Sequence, residues 1–246
     1  MKVRLISCTP DPELVVAVAA KLCYSSLDVD RIVEGMTSDE VSRLIRQLLA
    51  SGHMSPLEHA NFTFAIEDVS RSLLAQITRH RIASFSVQSQ RYVDMKDASM
   101  VVPPAFKDNE DVLQVFAKYS QLSMATYRQI ADDLSKGYVQ NGMDPKSAKK
   151  KAQEDARFVL PNACTTQMIT TMNARQLLHF FNMRCCNRAQ WEIRQLADAM
   201  LALAYKQAPT IFENAGPSCI STGHCSEGSM CCGHPRSKEE VRGACT

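Results

Sequence analysis

The sequence predicts a helix-rich chain of mixed class, α+β or α/β, with room for one sizeable core or two small ones. Three observations lead there. Segments with apolar residues at helical spacing dominate the chain of 246 residues. Short alternating or β-branched stretches are interleaved with them. Hydrophobic and charged fractions, 45% and 22%, are those of an ordinary globular protein. Periodicity alone does not choose between the two classes.

Taken in order, MKVRLISC reads as a first strand and DPELVVAVAAKLCY as a helix opened by Asp11. Thr37, with Glu40 three residues on, forms a capping-box pattern before VSRLIRQLLA, which Gly52 ends. EHANFTFAIE (58–67) alternates and carries aromatics at Phe62 and Phe64, so it is a strand. Residues 70–81 have helical spacing at Leu73, Leu74, Ile77 and Arg81, which puts Gln76, Arg79 and His80 on one face. A loop follows, with strand character near Tyr92 and Val93. Helical patterns cover 109–136 and the stretch after Asp144 that Pro161 breaks. CTTQMITTM is Thr-rich and β-like. Asn173, with Gln176 at N3, caps RQLLHFFNMR, where Arg175, His179 and Asn182 share one face and Leu177, Phe181 and Arg184 follow another. The last strong helix is AQWEIRQLADAMLALAYKQ. After Asn214 the chain turns rich in Gly, Ser and Cys, a composition with too few large apolar groups for a conventional core. The expected division is therefore a folded domain over 1–213 and a tail over 214–246, flexible or metal-binding.

Charge excludes some function classes. The net charge is +2, so a basic site must be local and the whole chain does not read as a nucleic-acid binder. No apolar run approaches the roughly 20 residues of a membrane span, and the first residues lack the pattern of an export signal. The ten cysteines then read as mostly reduced thiols in the cytoplasm.

The local basic site is RHRIASFSVQSQRY (79–92). Arg79, Arg81 and Arg91 surround Ser84, Ser86 and Ser89, and no acid occurs between Asp68 and Asp94. Both a G-x-G-x-x-G loop and a P-loop are missing from the chain, so nucleotide phosphates would have to be held by side chains and helix ends. Arg suits that task, with five donors in a rigid, always charged fork, and Ser hydroxyls complete a cradle. A solvated basic loop would instead mix Lys with Glu.

Arg79-His80-Arg81, Ser84, Ser89 and Arg91 fit R-H-R-x-x-S-x-x-x-x-S-x-R without a gap. This resembles the signature of the flavin-dependent thymidylate synthases. SGHMSPLEH (51–59), RFVLP (157–161), NARQLLHFFNMR (173–184) and AQWEIR (189–194) agree in order, so the resemblance covers roughly residues 1–213. It implies an α+β homotetramer with active sites between subunits, each holding FAD. The implied reaction turns dUMP into dTMP, with methylenetetrahydrofolate giving the one-carbon unit and NADPH the hydride.

The same resemblance assigns roles. Gln76, Arg79, Gln88, Ser89, Gln90, Arg91 and Arg157 match positions around dUMP, with Arg91, Arg157 and Ser89 at its phosphate. Arg184 matches the arginine at the uracil and is the catalytic candidate. His53, Ser55, Glu58, Arg79, His80, Arg81, Val87, Asn173, Arg175 and His179 match flavin-side positions, Val87 through its backbone alone. No metal ligands are assigned. Physical chemistry agrees with these roles: a phosphate monoester carries about two negative charges, and a guanidinium beside a uracil carbonyl stabilises charge developing on the ring.

Two rival classes make different forecasts. A nucleic-acid module built on 79–92 and KSAKKK would bind with steep salt dependence and no chromophore. A zinc-organised interaction protein would use Cys219, Cys225, Cys231, Cys232 and Cys245 with His224 and His234. Their C-x5-C-x5-C-C spacing is not the C-x2-C knuckle of structural zinc, and adjacent cysteines fit one tetrahedron poorly. A flavin enzyme should keep colour and activity when 215–246 is deleted.

Overall fold

A computed structural model of the chain describes residues 1–243; Cys245 lies outside the described residues. The class is α+β. In chain order the elements are β1 (Lys2–Cys8), α1 (Pro12–Leu22), α2 (Val29–Gly35), α3 (Ser38–Ser51), β2 (Asn61–Ser70), α4 (Arg71–Ile77) and β3 (Ser84–Val87). Then come α5 (Pro104–Lys107), α6 (Glu110–Gln140), α7 (Pro145–Ala156), β4 (Thr165–Asn173), α8 (Ala174–Arg184), α9 (Trp191–Gln207), α10 (Ser218–Ser221) and α11 (Lys238–Arg242). Among the described residues, no helix is long and apolar enough to cross a membrane.

Most boundaries have local causes. The Thr37 side chain accepts from Glu40 N–H, and Gly52 closes α3 in the left-handed region at φ 72°. Asn109, Asp144 and Asn173 cap α6, α7 and α8 through their side chains. Asp11 opens α1 at φ 43° without a side-chain cap.

Two expectations are corrected. The helix expected over 70–81 stops at Ile77, where β-branched Ile77 and Thr78 are weak helix formers. Arg79 and His80 N–H then reach only three residues back, to Gln76 and Ile77 carbonyls, which tightens the chain into a turn. Gln76, Arg79 and His80 therefore do not share a helical face. Strand character falls at Ser84–Val87, whereas Tyr92 and Val93 lie in turn.

Packing divides the chain into two compact units. The first holds Met1–Glu67, Gln76–Ser86 and the described residues from Ile169 on. The sheet order is β1-β2-β4-β3, and β1 pairs antiparallel with β2 from Lys2↔Glu67 to Cys8↔Phe62, with an irregularity between Leu5 and Ser7. Alternation along β2 buries Phe62, Phe64 and Ile66. Phe62 stands edge-on to Phe212 at 5.5 Å, Phe212 to Phe181 at 5.8 Å, and Phe181 lies beside Phe180 at 5.8 Å. Each such ring contributes about 2–3 kcal/mol by leaving water. The segment after Asn214 belongs to this unit: Val241 is fully buried, and Arg236 reaches Asp198 on α9 at 2.8 Å.

The second unit holds Asp68–Ala75 and Val87–Met168. Its core gathers Met95, Tyr127, Ala131, Ala156 and Cys164. The Tyr127 hydroxyl accepts from Met95 N–H at 3.3 Å, which ties the 87–98 segment to α6. Lys149 on α7 holds Asp94 at 3.0 Å. On α6, Val112, Val115, Tyr119 and Leu122 form an exposed apolar stripe.

Candidate active site

In the first unit the chemistry centres on α8 and the turn after α4. His80 is 5% exposed, and its ring lies edge-on to Phe180 at 5.0 Å, at the end of the aromatic chain. Arg184, the last residue of α8, donates from Nε to His80 Nε2 at 3.1 Å. A guanidinium only donates, so His80 Nε2 must accept and the proton of the neutral ring sits on Nδ1. Gln176 Nε2 lies 3.4 Å from Nδ1. Two donors cannot face each other, so with the proton on Nδ1 the amide assignment has to be exchanged, which puts the Gln176 oxygen toward Nδ1–H.

Electrostatics agree with a neutral ring. Burial, then the charge of Arg184, then His179 push the His80 pKa down to about 4. Burial and the neighbouring Arg79 charge lower the Arg184 pKa as well. The charge of Arg79 thus reaches Arg184, and toward Arg184 the imidazole of His80 presents a lone pair.

On the outer face of α8, Arg175, Leu178, His179 and Asn182 line a cleft of about 620 Å³. Leu49 and Ile211 add apolar wall, and Arg46, Glu213 and Ser221 add polar groups. Arg175 donates to Glu58 at 2.6 Å, and Arg46 to Glu213 at 2.9 Å. Asn182 donates to Ser221 Oγ at 3.1 Å. Glu58 and Ser55 sit in a single turn of 3-10 helix, Ser55–His59. Asn173 spends its side chain capping α8 on Gln176 N–H. His53 lines a different cleft of about 490 Å³, with Lys21, Tyr24 and Arg43. Arg81 is exposed.

In the second unit the 87–92 segment is anchored on α7. Gln88 N–H donates to Gln167 O at 3.0 Å, and Ser89 Oγ accepts from Arg91 N–H at 3.2 Å. Val87 is half-buried at the end of β3, and Gln90 is buried. Arg91 pairs with Glu154 at 3.0 Å, while its Nε is buried with no hydrogen-bond partner among the described residues. Lys150 lies over the Tyr92 ring at 4.5 Å. Arg157 follows Glu154 by one turn at the end of α7, and its charge helps burial to lower the Arg71 pKa. Gln76, which belongs to the first unit, is half-buried just before the end of α4.

No acid lies near the arginine segment in sequence, yet Glu154, 63 positions beyond Arg91, pairs with it, and only the fold brings it there. Gln176 escaped the sequence reading because its N3 position looked like capping alone. The signal was its place on the same helix as Arg184, two turns earlier. Among the described residues, no group of three or more His, Cys, Asp or Glu side chains stands ready to hold a metal ion.

Comparison with known proteins converges on one family. Residues 4–210 match the family model Thy1, thymidylate synthase complementing protein. The flavin-dependent thymidylate synthase of Clostridium tetani is 47% identical over 241 residues, covering 98% of this chain and 96% of the relative. That match runs on into the segment after Asn214, past the limit near residue 213 expected from the sequence. The protein of the same name from Geobacter sulfurreducens is 48% identical over 235 residues, with 95% and 94% covered. That from Saccharolobus solfataricus is 37% identical over 222 residues, with 89% and 78% covered. With the family model matched over residues 4–210 and near-complete overlap with these relatives, the chain belongs to the flavin-dependent thymidylate synthase family, Thy1.

Proposed function

We propose that the chain converts dUMP to dTMP in the cytoplasm, with methylenetetrahydrofolate as one-carbon donor and NADPH as reductant through bound FAD. The observation that carries this reading is the hydrogen bond from Arg184 to a buried, neutral His80 at 3.1 Å. A guanidinium held by an acceptor that carries no charge, with the charge of Arg79 reaching it, favours an anionic ligand. The Arg91 Nε, buried and without a hydrogen-bond partner among the described residues, supports a second anion contact in the other unit.

The cleft on α8 fits the cofactor chemically. Its walls are apolar where rings would stack, and Arg175, Arg46, Asn182 and Ser221 supply donors for phosphates and ribose. FAD, when bound, supplies the hydride and a flat ring for the pyrimidine to stack on. Arg175 and His179 would hold it, and Ser55, Glu58, Asn173, His53, His80, Arg81 and the Val87 backbone are assigned to the flavin side by resemblance to the family.

The remaining residues bind and orient the nucleotide. Arg91, Ser89 and Arg157 take the phosphate, and Gln76, Arg79, Gln88 and Gln90 fix the rest. Arg184 meets the uracil and stabilises negative charge on the ring, which raises electron density at the carbon that attacks the one-carbon unit. It keeps its proton throughout, and His80 fixes its direction. We assign the assembly as a homotetramer with sites between subunits. The α6 stripe, at i, i+3, i+7 and i+10, supports this as a face for a second copy.

The test is Arg184→Ala. It should lower dTMP formation by at least about 10²-fold, the scale for removing one charge-stabilising donor, while the purified protein keeps its flavin absorbance. Retained synthesis would remove Arg184 from the mechanism. A colourless wild-type protein that also refuses added FAD would sink the reading as a whole.

A further inference from the structure

Helix α7 brings a lysine to the arginine segment from outside the signature. Lys150 Nζ lies 4.5 Å from the centre of the Tyr92 ring, and Arg91 Cζ stands 5.8 Å from the same centre. One exposed aromatic side chain thus gathers two cations, one from the 87–92 segment and one from α7. The neighbouring lysines are engaged elsewhere. Lys149 pairs with Asp94 at 3.0 Å, and Lys151 lies over the Tyr138 ring at 4.7 Å.

Helical spacing explains why Lys150 is the lysine turned this way. Lys150, Glu154 and Arg157 follow at i, i+4 and i+7, along one face of α7 and its end. Glu154 is the ordinary partner for a lysine four residues before it. Arg91 has taken that carboxylate at 3.0 Å, which leaves Lys150 against a ring. The two side chains of the Arg91–Glu154 pair are 40% and 39% exposed, and an ion pair that open is weak, so a dianion can displace it. The Arg91 Nε is buried without a hydrogen-bond partner among the described residues, which leaves one guanidinium donor unspent. Arg91, Lys150 and Arg157 outnumber Glu154 by two positive charges, and a phosphate monoester carries about two negative ones.

We propose that Lys150 is a further substrate-binding residue that recognises the phosphate: with Arg91 it closes on the monoester of the nucleotide as Glu154 gives way. Resting on the dUMP reading of the 87–92 segment, this assignment adds a donor to the phosphate and none to the base. An ammonium has three donors, and a ring face holds it mainly by its charge, so donors remain for anion oxygens. The division of labour follows from the two side chains. Arg91 presents a planar fork that fixes geometry, whereas Lys150 is a point charge on a flexible stem that adds affinity.

The experiment measures dUMP binding to the full-length protein supplied with FAD, by isothermal titration calorimetry. It compares wild type with Lys150→Met, Lys150→Arg and Lys151→Met, and records the melting temperature of each. Lys150→Met should raise the dUMP dissociation constant at least about tenfold, the scale for one charge-assisted hydrogen bond, with no loss of melting temperature. Lys150→Arg should restore most of the affinity. Lys151→Met removes the same charge one residue away and should stay within about twofold of wild type, because its side chain lies on Tyr138. Wild-type affinity in Lys150→Met, an equal loss in Lys151→Met, or no rescue by Lys150→Arg would each overturn the role of Lys150 while leaving the dUMP reading intact. A wild-type protein that binds no dUMP would overturn that reading and this assignment with it.

Discussion

His80 shows how one residue takes its role from its surroundings. Wrapped by Phe180, Arg184 and His179, it stays neutral, with a pKa near 4. Its ordinary value is about 6.5, so above that pH both folded and unfolded chains hold it uncharged and it adds no pH dependence. As pH falls from about 6.5 toward 4, the unfolded chain takes up a proton that the fold refuses, and stability is lost. Between pH 6.5 and 5 the loss is at most about 2 kcal/mol. Denaturant midpoints at pH 7 and pH 5 should show this slope in the wild type and a smaller one in His80→Gln. The signature made Arg79, His80 and Arg81 legible as a group, but not that His80 faces inward while Arg79 and Arg81 face out. That division depends on Phe180, 100 positions away.

At the scale of elements, helix starts were readable because they rest on local hydrogen bonds. Thr37, Asp144 and Asn173 each satisfy an N–H two or three residues on, a geometry fixed by sequence spacing. The end of α3 is equally local. Gly52 sits at φ 72° with open space where a side chain would go, so Gly52→Ala meets backbone strain and no clash. It should cost about 1 kcal/mol in thermal or urea unfolding and leave the cleft chemistry unchanged. The end of α4 was not readable. Helical spacing continues to Arg81, but the chain leaves the helix after Ile77 and buries His80. Here tertiary packing overrides a weak local preference.

For the whole molecule, the segment after Asn214 is the main departure from expectation. Its composition offers little core, yet Arg236 brings one guanidinium nitrogen to both oxygens of Asp198, at 2.8 and 2.9 Å, and to Cys185 O at 2.8 Å. Burial raises the Asp198 pKa, and Arg236 opposes that rise. Arg236→Met leaves a buried carboxylate without its partner and should destabilise by roughly 3 kcal/mol or more. Adding Asp198→Leu should restore much of the loss, as measured by denaturant unfolding. Deleting 215–246 removes Val241, Arg236 and part of the cleft wall together. The outcome expected from the structure is therefore a lower melting temperature and weaker flavin retention, where composition alone forecast an unchanged enzyme.

The sequence by itself determined the mixed, helix-rich class, the helix caps and the family, because caps, periodicity and a gapless signature are properties of short stretches. Only the tertiary structure decided that Glu154 compensates Arg91, that Gln176 and His80 aim Arg184, and that a Gly- and Cys-rich tail is clamped by a buried ion pair. Each of these joins residues tens to hundreds of positions apart. No local preference encodes such contacts; they appear when burial draws distant segments together, around Phe62, Phe180, Phe181 and Phe212 in the first unit and around Met95 and Tyr127 in the second.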